Sequence, residues 1–184
     1  IKYNYIFFAI KGNNLDGNKF IKDAIKKGSK IIISEKFKEG FKNSVLYLNN
    51  KNPRKLLAQF AAKINNKFPK NLIAVTGTNG KSSIANFYYQ ILQLNKKKVA
   101  SIGTLGISGI SYKKNIFNTT YDPIELNKIF KILKKKKINN VILEASSHGL
   151  KQCRLDGLKF NLGIFTNLSR DHLDYHKTFK DYFN

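Results

Sequence analysis

The 184-residue chain has no methionine, a single cysteine, three prolines and only 11 acidic residues against 34 basic ones. Without methionine it carries no initiator. A strand-like run, YIFFAI, also begins at residue 5, so the N-terminus is expected to be cut. One cysteine, Cys153, excludes an internal disulfide and points to a reducing, cytoplasmic setting. No apolar run approaches the ~20 residues of a membrane-spanning helix. The opening IKYNYIFFAIKGNN has neither a signal-peptide core nor a small-residue cleavage site. No internal repeat is visible. The hydrophobic fraction, 42%, is that of an ordinary globular protein, and the length suits one large domain or a small one plus a medium one.

The scarcity of acidic residues leaves a net charge of +23. A nucleic-acid surface would interleave arginine with aromatics. Here the excess is almost wholly lysine, scattered over helix faces as in KILKKKKINN and accompanied by many Asn and Ile, as an A/T-rich coding sequence would give. The charge is read as compositional, and no nucleic-acid partner and no membrane insertion are expected.

Residues 5–10, 30–34 and 45–48 read as buried strands, with a short helix from Phe20 showing Ile21, Ala24 and Ile25 and ending at Gly28. Asn52 followed by Pro53 starts a helix whose expected buried stripe is Leu57, Phe60, Ala61 and Ile64. The polar, proline-broken NNKFPKN then suggests a domain boundary near Phe68, giving domains 1–68 and 69–184. Beyond it, strands at 72–76, 98–103, 140–145 and 161–167 alternate with helices. One helix shows Ile84, Phe87, Tyr88 and Ile91. Another is capped by DPIE and shows Leu126, Ile129, Phe130 and Leu133. SGISYKKNIF reads as a hairpin or long loop. Alternation of this kind predicts an α/β fold: a small N-terminal α/β domain, then a Rossmann-like phosphate-loop domain with a mostly parallel sheet. Thr178 and Asp181 cap a helix from Phe179 that stops at Asn184, so the C-terminus is also expected to be cut.

Chemistry concentrates in four stretches. TGTNGKSS (76–83) follows a strand and opens a helix, the setting a phosphate loop needs. Gly77 and Gly80 let the backbone turn, and the amides around Thr78 and Asn79 are expected to fold inward. The helix N-terminus adds partial positive charge, Lys81 can reach β/γ-phosphates and the Ser82 hydroxyl can bind magnesium. Counting back five residues from Gly80 reaches Val75, so the spacing is not the common G-x-x-x-x-G-K-[ST]. In EASSHGLKQCR (144–154), Glu144 ends a buried strand, where ligands gather in doubly wound sheets, and can hold magnesium. Ser147 and His148 are adjacent and have no third orienting group, which argues against a Ser-His hydrolase. Gln152 and Arg154 offer planar donors to a polar ligand. NTTYDP (118–123) leaves Asn118, Thr119 and Thr120 without an obvious structural task, since Asp122 already caps. In TNLSRDHLDYH (166–176), His172 and His176 stand four apart but lack the glutamate of a zinc protease. Asp171, His172 and Asp174 could instead shape a magnesium site or an ATP pocket.

The T-G-T-N-G-K-[ST] loop resembles that of the Mur ligase family, which makes amide bonds at the expense of ATP. The four motifs, in this order, resemble its UDP-N-acetylmuramoyl-tripeptide synthetase branch. The resemblance runs through nearly the whole chain, with FFAIKGNNLDGNKFIKDAIKKGSKIIIS similar to the UDP-binding domain. It implies a monomeric, cytoplasmic ligase that uses ATP and Mg2+ to add diaminopimelate or lysine to UDP-MurNAc-L-Ala-D-Glu through an acyl phosphate. It implies ATP contacts from Gly77, Thr78, Asn79, Gly80, Lys81, Ser82 and Ser83, and catalytic roles for Lys81, Glu144 and His172. Magnesium would be placed by Ser82, Glu144 and His172. The muramoyl dipeptide would be held by Asn118, Thr119, Thr120, Ser146, Gln152 and Arg154, and the uridine end lined by Asn13, Asn14 and Leu15. Two departures stand out: Ser82 and Ser83 replace the commoner Thr-Thr, and Tyr121 stands where proline is usual. The family's carbamylated lysine is expected beyond Asn184, as is the domain for the incoming amino acid, so residues 1–184 alone are expected to form no tripeptide. Folylpolyglutamate synthetases share the loop and the amide chemistry and are the alternative reading. A phosphate-loop ATPase without ligase activity would leave SSHGLKQCR unexplained.

Overall fold

The structure is a computed structural model that describes residues 4–12, 15–64, 67–112 and 118–183, with the side chains of Leu173 and Asp174 outside the description. Contacts divide the chain into two compact units, Ile1–Leu57 and Ala58–Asn184.

In the first unit, β1 (Ile6–Phe8) leads through a 3₁₀ turn (Gly17–Phe20) into α1 (Ile21–Lys26), β2 (Ile31–Ser34), β3 (Gly40–Lys42) and β4 (Val45–Asn49). The sheet order is β1-β2-β4-β3, with β3 alone antiparallel. Ala9, Ile21, Ala24, Ile32 and Val45 form its core. Asp16 caps the 3₁₀ turn. The backbone N–H of Asn18, its side-chain amide and Lys36 together hold the Asp16 carboxyl well below the usual carboxylate range. β3 has no counterpart in the sequence reading. Its two-residue link to β4, Asn43 and Ser44 at φ 49° and 61°, is a hairpin turn of the primed type without the glycine that normally marks one.

Helix α2 (Pro53–Ile64) runs from the first unit into the second. In the second unit follow β5 (Asn71–Thr76), α3 (Lys81–Leu94), β6 (Val99–Gly103), β7 (Gly106–Ser108), α4 (Pro123–Lys135), β8 (Asn140–Glu144), α5 (Ser147–Lys151), β9 (Leu162–Phe165), α6 (Leu173–His176) and α7 (Phe179–Phe183). The sheet order is β7-β6-β8-β5-β9, parallel except for the β6-β7 hairpin. Alternation along the strands decides which helix covers which face. Leu72, Val141 and Leu143 pack with Leu126, Ile129, Phe130 and Leu133 of α4, while Val75 and Ile142 pack with Ala85 of α3. Asp122 caps α4 as expected, accepting from the N–H groups of Ile124 and Glu125. The crossover after β5 passes over β8 to reach β6, and the one after β8 passes β5 to reach β9. The winding therefore reverses between β5 and β8, and the crevice at their C-terminal ends is the place where such sheets bind ligands.

Two expected stripes are corrected. In α2 the buried residues are Pro53, Ala58 and Ala62, while Phe60 and Ile64 are 38% and 75% exposed. Ala62 sits against Gly157, and only small side chains permit that approach. In α3 the buried residue is Ala85, with Ile84 and Tyr88 partly covered and Phe87 and Ile91 exposed. In both helices the most buried contact is made by alanine; Ile84 and Tyr88 pack beside it, whereas Phe60, Ile64, Phe87 and Ile91 lie off it.

Candidate functional site

The chain leaves β5 at Thr76 and turns through Gly77 (φ 132°) and Gly80 (φ 85°), both in left-handed backbone. A Cβ on Gly77 would overlap the Thr166 side chain. Gly80 is the N-cap of the 14-residue α3 and supplies no side-chain cap, so the first-turn N–H groups of the helix remain for an anion. Lys81 Nζ lies back over the loop, donating to the carbonyls of Gly77 (2.6 Å) and Thr78 (2.7 Å). The amides of Thr78 and Asn79 do not fold inward as expected. They donate to the Asn167 carbonyl and to Asn167 Oδ1, each at 3.0 Å, because the segment after β9 runs alongside the loop and uses them to anchor it.

Glu144, at the end of the neighbouring strand β8, is 2% exposed. Its Oε2 accepts from Ser82 Oγ and Thr104 Oγ1, both at 3.0 Å, and its Oε1 from the Thr104 N–H at 3.2 Å. Among the described residues no Lys, Arg or His makes an ion pair with it. Two hydroxyls and one amide thus surround a buried carboxylate whose charge is left without a counter-cation.

The loop and Glu144 form one side of a cavity of 520 Å³. Asn118, Thr119, Ser146, Gln152, Arg154 and His172 are among the other residues that line it. Thr120, expected on the same wall, is 2% exposed and has a structural task after all. Its hydroxyl donates to the Glu144 carbonyl (2.8 Å) and accepts from the Ser146 N–H (2.8 Å), tying the start of α4 to the end of β8. Ser146 caps α5 by accepting from the Gly149 N–H. Arg154 is held in place by Gln152 Oε1 (2.7 Å) and the Thr120 carbonyl (2.5 Å).

Residues 75–184 match the description "Mur ligase middle domain", and residues 1–64 match "Mur ligase family, catalytic domain". The chain belongs to the Mur ligase family. A UDP-N-acetylmuramoyl-L-alanyl-D-glutamate--2,6-diaminopimelate ligase of Rickettsia montanensis is 44% identical to this Mur ligase chain over 187 residues, covering 99% of the chain and 38% of the relative. A solved structure of a ligase of the same name superposes with a TM-score of 0.78 at 30% identity, covering 99% of the chain and 37% of that structure. A MurF ligase from Thermotoga maritima in complex with ADP shares the fold at 21% identity and a TM-score of 0.60, covering 100% of the chain and 39% of that protein. The Mur ligase chain thus spans about 38% of the length of the curated relative it matches.

The remaining expected site residues of the Mur ligase chain sit as follows. His172, in left-handed backbone, stands edge-on to His148 (5.1 Å between ring centres) and to Tyr182 (6.3 Å), with Nδ1 3.7 Å from Asp171 Oδ1. His148 stacks on Tyr175 at 3.9 Å. Ser82 and Glu144 are thus brought into direct contact, whereas His172 shares only the cavity with them. Among the described residues no three of His, Cys, Asp and Glu gather as metal ligands. Asn13 and Asn14 lie outside the described residues, as does the side chain of Asp174. Leu15 is 68% exposed.

Sequence reasoning missed the clamp on the loop. Besides taking the two amides, Asn167 donates from Nδ2 to the Asn79 carbonyl (3.2 Å), which Thr166 Oγ1 also reaches (2.7 Å). Thr78 Oγ1 meets Tyr182 OH (2.9 Å) and accepts from the Ser169 N–H (2.9 Å). The sequence signal was the position of Thr166 and Asn167 at the head of TNLSRDHLDYH, a stretch read for its histidines and aspartates. Replacing Asn167 with alanine removes two side-chain bonds to the loop. At ~0.5–1.5 kcal/mol each, with the low end appropriate to an exposed site, nucleotide affinity should fall about tenfold. An equilibrium nucleotide titration checks this; unchanged affinity would show that the loop holds its shape without the clamp.

Proposed function

We propose that the chain is part of a cytoplasmic, ATP-dependent ligase of peptidoglycan precursor synthesis that joins meso-diaminopimelate, or L-lysine, to UDP-MurNAc-L-Ala-D-Glu. One observation carries the reading: the glycine-turned loop, the buried Glu144 carboxylate and a wall of planar and hydroxyl donors share a single cavity. The names of the relatives support the substrate and favour diaminopimelate. In chain organisation, 1–68 would serve the UDP end, with Asn13, Asn14 and Leu15, and 69–184 the ATP.

The chemistry follows from the side chains. ATP phosphates would lie over the first turn of α3 along residues 77–83, where N–H groups and the Lys81 ammonium offset their charge. Asn118, Thr119, Gln152 and Arg154 would orient the D-glutamyl γ-carboxylate for in-line attack on the terminal phosphoryl group, with Thr120 and Ser146 fixing that wall. The acyl phosphate formed would then be attacked by the amine, expelling phosphate. The donor set of Ser82 and Glu144 fits Mg2+: hard oxygens, one of them a buried anionic carboxylate free of any ion pair among the described residues. Bound there, Mg2+ would neutralise phosphate charge. His172, which also lines the cavity, would serve the pocket as a hydrogen-bonding group.

ADP release by the intact protein tests the reading. UDP-MurNAc-L-Ala-D-Glu plus diaminopimelate should stimulate it, and a folate substrate plus glutamate should not. Stimulation by the folate pair would overturn the reading in favour of a folylpolyglutamate synthetase.

A further inference from the structure

We propose that Thr104 is the positioning residue that presents Glu144 to a divalent cation. The stretch IGTLG (102–106) carries no role in the function described so far, yet it supplies two of the three hydrogen bonds that the carboxylate accepts from Ser82 and Thr104. The register pairs Ile102 with Leu143, so the next residues of β6 run beside Glu144. A Cβ on Gly103 would overlap the Glu144 carboxyl group, so glycine is required for the approach. Thr104, at the turn into β7, then holds both oxygens at once, by its N–H on Oε1 (3.2 Å) and its hydroxyl on Oε2 (3.0 Å).

Proton counting gives the network a direction. A carboxylate only accepts, so the single hydroxyl proton of Thr104 goes to Glu144. Thr119 Oγ1, 3.0 Å away, must therefore donate to Thr104 Oγ1. The rotamer of Thr104 is fixed from both sides, and through it the plane of the carboxylate. Second-shell donors of this kind typically change metal affinity by ~10–100-fold when removed.

The proposal rests on the reading of the cavity as a Mg·ATP site, and the test separates the two. The affinity of the intact protein for a fluorescent ATP analogue is measured with and without Mg2+ for wild type, Thr104→Val and Thr104→Ser. Wild type should gain affinity when Mg2+ is added. Thr104→Val should lose at least about tenfold of that gain while its metal-free affinity stays within about twofold, and Thr104→Ser should keep the gain. A valine variant with the wild-type gain, a loss that is equal with and without metal, or a serine variant as impaired as valine overturns the role of the hydroxyl alone. A wild type that binds no nucleotide overturns the underlying reading and this proposal with it.

Discussion

Replacing Lys81 with alanine is expected to lower ATP turnover by about 10²–10³-fold, with a parallel loss of nucleotide affinity and little change in stability. The ammonium belongs to the first residue of α3 and lies back over the loop, held by the carbonyls of Gly77 and Thr78 at 2.6 and 2.7 Å. Those carbonyls position it without neutralising it, so a phosphate can compete for it at little cost. Arg154, which also lines the cavity, is held by Gln152 and the Thr120 carbonyl on the wall assigned to the substrate carboxylate, so it does not take the place of the ammonium in the loop. The folded core does not depend on Lys81, because α3 is anchored through Ala85 on Val75 and Ile142. Calorimetric titration and thermal unfolding of the variant separate the two effects. Arginine at this position should not restore activity, because its planar fork differs from a compact ammonium. Wild-type turnover in the alanine variant would remove the loop from the mechanism.

The second large effect is expected at Glu144. Glutamine keeps the shape and removes the charge, so Mg2+-dependent turnover should fall by at least about 10²-fold, with a higher Mg2+ requirement. The side chain is 2% exposed and surrounded by donors from Ser82 and Thr104. An amide there directs its own N–H toward groups that now donate: either the Thr104 N–H loses its acceptor, or the hydroxyls of Ser82 and Thr104 must both turn. The fold should tolerate this better than it would alanine, which would leave the space beneath Gly103 empty. Activity across a Mg2+ titration, alongside the unfolding temperature, is the check. A normal Mg2+ response in the glutamine variant would mean that the carboxylate serves only the fold.

Much of this was legible in the sequence because it is local. The α4 helix carries its cap at Asp122 and a four-residue apolar stripe with the right period, and all four residues are buried. The phosphate loop announces itself by two glycines between a strand and a helix. What escaped is long-range. Asn167 meets Asn79 across 88 positions and Thr104 meets Glu144 across 40; Asn167 lies in a stretch marked for its histidines and aspartates, but nothing local shows the pairing, and nothing near Thr104 marks it. Thr120 was misread for the same reason, since its partners Glu144 and Ser146 lie on another strand end. The stripes of α2 and α3 held only in part: Ile84 and Tyr88 pack on the core, but the closest contacts are made by alanines, a choice that a hydrophobic pattern weighted by size does not reveal.

The most direct test is a structure of the protein crystallised with a non-hydrolysable ATP analogue and Mg2+. The account expects the terminal phosphates over the first turn of α3, with Lys81 swung from the Gly77 and Thr78 carbonyls onto them. Nucleotide bound elsewhere, or a hollow left empty between that turn and Glu144 at saturating ligand, would contradict it.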